Sequence, residues 1–271
     1  MVIGIIVVLV GLLVPVLGTV AATARQTTSQ NNLKQWGTGT IMYLGSHKDK
    51  LPWEGMKDIA EMDINLGENS YWANAIAPLV GEKPYREIAD AAFNDGFPIP
   101  VPGGDAARSV FIDPSAVAPD NAPWVWGPTG PSGSQRACYF NYVPNSQLNN
   151  TYKSENNIPD FSPKQTMSMS MIPDAEHTIL MMEMRSIADE LKGGDPNYGE
   201  ALDRHRADWK RFAARHFNGG HLLFGDGHVG YAENRRIITN VQGTIDPAQA
   251  GGDWNIPGEF IWDPLGPATN E

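Results

Sequence analysis

From Val2 to Ala22 the chain carries no ionisable side chain, and its first charge is Arg25. At 1.5 Å per residue, a helix of that length measures roughly 30 Å, the hydrocarbon thickness of a bilayer. The pattern predicts a membrane-spanning helix over residues 1–24. Gly4, Gly11 and Gly18 recur at intervals of nearly two helical turns. They therefore lie on one slowly drifting stripe where a second helix can approach closely. Pro15 removes one hydrogen bond in mid-span, which lipid tolerates only where a neighbouring helix or a local 3₁₀ turn repairs the ladder. These four residues are the expected helix-packing positions. Ala22-Thr23-Ala24 also fits a signal-peptidase site, whose use would leave a mature chain starting at Arg25. Against this, the apolar run exceeds the about 7–15 residues of a secretory core.

Beyond Arg25 the composition turns polar but the periodicity persists. Leu33, Trp36, Tyr43 and Leu44 recur at roughly helical intervals, an apolar stripe on a hydrophilic helix. Residues 25–45 are read as the polar half of the same helix, presenting its stripe to a globular domain. Gly37 and Gly39 weaken that half by about 1 kcal/mol each. Residues 46–240 form the predicted domain. In it, Tyr71–Leu79, ended by Pro78, and Tyr85–Phe93 read as short helices. Residues 96–133 hold so many Pro and Gly residues that they read as an ordered surface loop, with Trp124 and Trp126 packed back on the domain. Ala175–Glu183 reads as a buried central strand. Ala201–Phe212 is a predicted helix with Trp209 and Phe212 inward. Asp226-Gly227, between two apolar runs, signals a two-residue hairpin with both turn residues at positive φ. Residues 241–271 are a C-terminal extension. The expected fold class is α+β, a long N-terminal helix packed on an antiparallel sheet.

Two signatures carry a family resemblance. The apolar helix with its mid-span Pro15, the run Asn31-Asn32-Leu33-Lys34-Gln35 and the later Leu51-Pro52 resemble the N-terminal region of bacterial type IV pilins and type II secretion pseudopilins. Toward the other end, His216, nine residues, then Asp226-Gly227 resembles a motif of the C-terminal domain of bacterial pseudopilin-like proteins. Aligned on Pro15, the prepilin peptidase site of those families, with its Gly, Phe and Glu, falls before Met1. Those relatives have a strand ending in Cys-Pro-Ser and then an aromatic strand with a following Asn, so the resemblance implies strands over Ser109–Ser115 and Ala137–Tyr142, with Asp113 where that Cys is often found. The resemblance implies a membrane-anchored, non-enzymatic filament or pseudopilus subunit. Its partners would be other such subunits through the N-terminal helix, the inner membrane, and prepilin peptidase if the leader exists. The globular domain would be periplasmic or on the cell surface. A membrane-anchored surface hydrolase or glycan-binding protein using the aromatic loop is the alternative.

Charge narrows the partners further. Twenty basic against thirty-one acidic residues give −11, a surface that repels nucleic-acid backbones and tolerates calcium or another divalent metal, although no cofactor is expected. Arg204, Arg206, Lys210, Arg211 and Arg215 are expected to be neutralised internally or on a neighbouring subunit. Cys138 is the only cysteine, so an intramolecular disulfide is ruled out and the thiol reads as a small core residue. His205, His216, His221, Asp226 and His228 offer zinc-type ligands. In a two-residue hairpin, however, His221 and His228 stand about 13 Å apart. For His216 three roles stay open: a structural clamp onto Asp226 or nearby backbone, a metal ligand with Asp226, or a catalytic base.

Overall fold

The computed structural model describes residues 2–56, 58–105, 108–159, 162–245 and 252–269, with side chains of the first helix described from Leu17 onward. Helix α1 runs from Val2 to Ser46. From Ser29 onward its buried positions are 29, 32, 33, 36, 37, 39, 40 and 43, a helical stripe that contains the predicted Leu33, Trp36 and Tyr43. Residues 17–25 stand exposed. The span expected over 1–24 falls mostly, with Gly4, Gly11 and Pro15, on side chains outside the described residues. Among the described residues no helix is long and apolar enough to cross a membrane. Nothing lies within 4 Å of where a Cβ would sit at Gly18.

Short helices α2 (Met62–Gly67), α3 (Trp72–Ala75) and α4 (Tyr85–Asp95) follow. The helix expected over Tyr71–Leu79 is split: α3 gives way to a 3₁₀ turn at Ala77–Val80, since Pro78 lacks the N–H a continuing helix would use. Strands β1 (Trp124–Trp126) and β2 (Arg136–Cys138) form a two-stranded antiparallel ribbon. Strands β3 (Tyr142–Pro144), β4 (Ile179–Glu183), β5 (Gly219–Phe224) and β6 (Val229–Glu233) form an antiparallel sheet in that order. Helices α5 (Asn150–Glu155) and α6 (Asn234–Ile237) complete the regular elements. The stripe of α1 packs on β5, β6 and the Ala77–Val80 turn, and Trp36 joins Trp72 and Phe111 in an aromatic core. The α+β fold with its long N-terminal helix on an antiparallel sheet is pilin-like, as expected.

Several local expectations are corrected. Ser109–Ser115 is a set of turns, and Ala137–Tyr142 is divided between β2 and β3. Residues 201–212 form no α-helix, only a 3₁₀ turn at Trp209–Arg211. The backbone there is engaged elsewhere, Ala207 N–H donating to Pro144 O and Ser146 N–H to Ala207 O, so tertiary pairing overrides the local pattern. Trp209 and Phe212 are nonetheless fully buried. The hairpin between β5 and β6 is closed by Phe224 N–H on His228 O at 3.0 Å, leaving a three-residue loop. Only Gly227 of that loop has positive φ, 91°, as a three-residue hairpin turn requires. The described part of the C-terminal extension belongs to the domain, with Trp254 stacked on Trp209 at 4.7 Å and Ile261 paired with the chain around Thr178.

Candidate functional site

Glu183 ends β4 and is fully buried, an expensive place for a carboxylate unless its oxygens are satisfied. They are. The Oε2 atom accepts the backbone N–H of His221 at 3.0 Å, and Oε1 lies 2.8 Å from His221 Nδ1 and accepts the hydroxyl of Ser29 on α1. Ser29 Oγ is also 2.8 Å from the Tyr142 hydroxyl, and Asn32 Nδ2 donates to Ile112 O at 3.1 Å. The first two positions of β5 are glycines for a steric reason. A Cβ at Gly219 would lie 2.1 Å from Ala232 O, and one at Gly220 2.8 Å from Glu183 Oε2.

His216 enters from a tight reversal in which Phe217 and Asn218 are both left-handed, φ 51° and 66°, and His216 and Gly219 exchange backbone hydrogen bonds at 3.0 Å. Asn tolerates that conformation; an aromatic residue is strained there. The reversal points the imidazole back into the domain. Its Nε2 lies 2.9 Å from Asp113 Oδ2 and 3.6 Å from Glu183 Oε2, and its ring is 5.3 Å from that of His221. Arg215 completes the cluster, donating to Asp113 Oδ2 at 2.9 Å, to Glu190 Oε1 at 3.2 Å and to Met184 O. Burial pushes the Asp113 carboxyl up, but Arg215 and His216 outweigh it and hold it at about 2. Burial also works against a charge on His216, yet its bond to Asp113 and the nearby Glu183 raise its pKa. Burial next to Asp113 and Glu183 pushes the Tyr142 hydroxyl well up. The centre is a sealed, charged lattice.

The His-x9-Asp-Gly residues are therefore not one site. His216 is buried beside Asp113, whereas Asp226 lies at the exposed turn, accepting from the backbone N–H of His228 at 3.0 Å and pairing with its imidazole at 2.6 Å. The expected clamp of His216 on Asp226, and a metal shared by the two, give way to the Asp113 contact. Gly227 abuts α1, where a Cβ would meet Ile41 at 3.0 Å. The spacing has a geometric meaning. The strand between His216 and the turn runs roughly 20 Å at 3.3 Å per residue, and the helix between Ser29 and Ile41 runs roughly 18 Å. Glu183 joins Ser29 of α1 to His221 of β5 near one end of the motif, and Gly227 meets Ile41 at the other, so helix and sheet are fastened at two points.

Sequence reasoning missed Asp113, Glu183, His221, Arg215 and Ser29 as partners. A signal existed in Ser29 and Asn32, polar residues on the apolar stripe one turn before Leu33 and Trp36. The basic set is neutralised within the chain: Arg204 with Asp58, Arg206 with Glu54, Lys210 with Asp208, Arg211 with Glu200 and Asp208, and Arg215 with Asp113 and Glu190. Cys138 is buried, which pushes its thiol up. Trp124 packs on Tyr139, and Trp126 Nε1 donates to Asp63. An open cleft of about 640 Å³ lies apart from the sealed centre, bordered by Asp120, Asp189, Tyr198 and Asp203.

No curated protein and no solved structure gives a significant match to the chain. A family model does, over residues 21–202, which takes in the packed part of α1, Asp113 and Glu183 and stops before His216. That match covers more than half of the chain, and with the helix-on-sheet architecture it leads to one assignment: the chain belongs to the DUF1559 (SBP_bac_10) family of proteins of unknown function, bacterial surface proteins of pilin-like build.

Proposed function

We propose that the chain is a non-enzymatic structural subunit of a pseudopilus or type IV pilus-related surface filament, anchored by α1 in the inner membrane with its domain periplasmic or on the cell surface. One observation carries this reading: α1 leaves the domain at Ser29 and continues as an exposed rod, on which Leu17 and Val20 are 61% and 59% exposed. Large apolar side chains on an unpartnered helix favour lipid or another helix over water. The apolar run from Val2 to Leu17 extends the same character. Partners in this reading are further copies or related subunits through α1, the inner membrane, and prepilin peptidase where a leader precedes the chain. The closure of the His216–Glu183 centre supports a structural role, because both side chains are too buried to meet a substrate.

The test is cysteine cross-linking of the full chain in membranes. Leu17→Cys or Val20→Cys places a thiol on the rod, and buried Cys138 does not compete. Oxidation is expected to yield covalent dimers and, with both substitutions, higher multimers. Monomer alone, with the new thiols shown to be reactive, overturns the proposal. Turnover of ester, peptide or glycoside substrates by the purified chain would instead favour the hydrolase alternative.

A further inference from the structure

Elsewhere in the domain a buried carboxylate is outnumbered by cations, as Glu54 is by Lys153 and Arg206. The centre around Glu183 has the opposite balance. Three carboxylates with buried side chains, Asp113, Glu183 and Glu190, share this region with two buried guanidiniums, those of Arg215 and Arg185. The carboxylates outnumber the guanidiniums, and an imidazolium proton or a bound cation makes up the difference. The arrangement of donors discriminates. Among the described residues, Glu183, His216 and His221 each offer a ligand atom, and these atoms all lie within 4.8 Å of one another.

We propose that Glu183, His216 and His221 form a buried structural site for a divalent transition-metal ion of the zinc type, which fastens the Ser29 turn of α1 to the sheet. Two imidazoles and a carboxylate are a zinc-type donor set, whereas calcium takes six to eight oxygens. The donor atoms lie near enough together to close on one small ion once the His221–Glu183 hydrogen bond opens by about 0.6 Å. His221 Nδ1 is 2.8 Å from Glu183 Oε1, and His216 Nε2 is 3.6 Å from Glu183 Oε2. Donors of a tetrahedral zinc site at its usual bond lengths stand about 3.4 Å apart. Asp113 Oδ2, 2.9 Å from His216 Nε2 and 2.9 Å from an Arg215 nitrogen, borders the site without belonging to the donor group. The backbone N–H of His221 and the Ser29 hydroxyl orient the Glu183 carboxylate, as partners around a metal's ligands commonly do. Each of the three proposed ligands is at most 3% exposed, so the ion enters as the chain folds, the behaviour of a closed structural site. This inference goes beyond the filament proposal and stands whether or not subunits assemble.

The experiment uses the full chain in detergent, unfolded with a chelator and refolded with zinc or cobalt(II) as the only added metal. One equivalent of zinc is expected to survive gel filtration, and the cobalt form is expected to show the visible bands of a tetrahedral site with nitrogen ligands. His221→Gln should lower retained zinc at least tenfold. Asp226→Asn, at the exposed turn, should retain it in full. A wild-type chain that melts cooperatively with less than about a tenth of an equivalent bound and no cobalt bands overturns the site. Equal retention by His221→Gln and wild type also overturns it, because the ion then sits elsewhere. The wild-type cobalt spectrum decides the matter if His221→Gln fails to fold.

Discussion

At the scale of residues, the two ends of the His-x9-Asp-Gly motif differ in energetic weight because they differ in burial. His216 is 3% exposed and bonded to Asp113, while the side chains of Asp226 and His228 are 42% and 46% exposed. Removing one partner of a buried hydrogen bond costs about 1–3 kcal/mol, and an exposed pair contributes less than about 1 kcal/mol. His216→Ala should therefore destabilise the chain by about 1–3 kcal/mol and Asp226→Ala by less than about 1 kcal/mol in denaturant unfolding. A double-mutant cycle sharpens this: His216 and Asp113 should couple, whereas His216 and Asp226 should add to within about 0.5 kcal/mol. Strong coupling between His216 and Asp226 would mean that the motif acts as one pair after all. A second residue sets the response to acid. His205 is fully buried, with Asn65 Nδ2 3.1 Å from its Nε2. Burial first, then Arg206 and Arg204, press its pKa down to about 3. Between that value and the unfolded value of about 6.5, the unfolded chain binds the extra proton. The neutral ring therefore contributes stability that is fully present above about 6.5 and is lost as pH falls toward 3, by up to about 1.4 kcal/mol per unit. His205→Asn should show a shallower fall over that window than wild type, and parallel curves would remove His205 from the account.

At the scale of elements, the glycines of α1 show where sequence periodicity informs and where it stops. Their helix propensities are equal, and their surroundings are not. A Cβ at Gly39 would lie 2.5 Å from Ile76 Cγ2 and 2.9 Å from Val80 Cγ1, and one at Gly37 2.7 Å from Leu223 Cδ1. Gly45 has nothing within 4 Å. Gly45→Ala should stabilise the chain by less than about 1 kcal/mol through propensity alone, and Gly39→Ala should destabilise it by about 1–3 kcal/mol through overpacking. Thermal melts of the two variants test this, and a Gly39→Ala chain as stable as Gly45→Ala would show that the helix does not press on the Ala77–Val80 turn. The same contrast explains what the sequence revealed. Leu33, Trp36 and Tyr43 announced α1's packing face because apolar residues at helical spacing leave a one-dimensional trace. Ser29, Asn32, Gly37 and Gly39 complete that face, but their role depends on Glu183, Ile76 and Leu223, far away in the chain. The strand Ile179–Glu183 was legible as a buried apolar run. Over 201–212 the internal neutralisation of the basic side chains was legible, by Glu54, Asp208 and Glu200, but the helix was not excluded, because the pairing of Ala207 with Pro144 and Ser146 leaves no local trace. Asp113 stood out only as the residue in place of a Cys, and its pairing with Arg215 and His216 was not legible because a single carboxylate among turns carries no periodic signal.

At the scale of the whole molecule, α1 is both the support of the domain and its projecting rod, and the boundary between the two roles falls at Ser29. From Ser29 to Tyr43 the helix is held by the sealed centre at one end and by the hairpin turn against Ile41 at the other. N-terminal to Ser29, residues 17–25 are exposed and 26–28 are at most half-buried. A helix break placed just outside the held part should therefore separate folding from assembly. Thr27 is exposed, and its hydroxyl bonds only within the helix, to Thr23 O. Thr27→Pro removes the backbone bond to residue 23 and clashes with that carbonyl, costing the helix about 3 kcal/mol locally. Bonds that begin at later N–H groups survive, so the packed half of α1 keeps its ladder. The near-ultraviolet signal and melting temperature of the full chain in detergent should stay within a few degrees of wild type. The Leu17→Cys cross-links expected in membranes should fall sharply, because the rod no longer leaves the domain at a fixed angle. A large drop in melting temperature would show that the projecting part stabilises the domain, and undiminished cross-linking would show that assembly needs only a tethered apolar segment. The variant thus distinguishes a continuous rod from a flexible anchor, which is the physical difference between a filament subunit and a protein merely moored to a membrane.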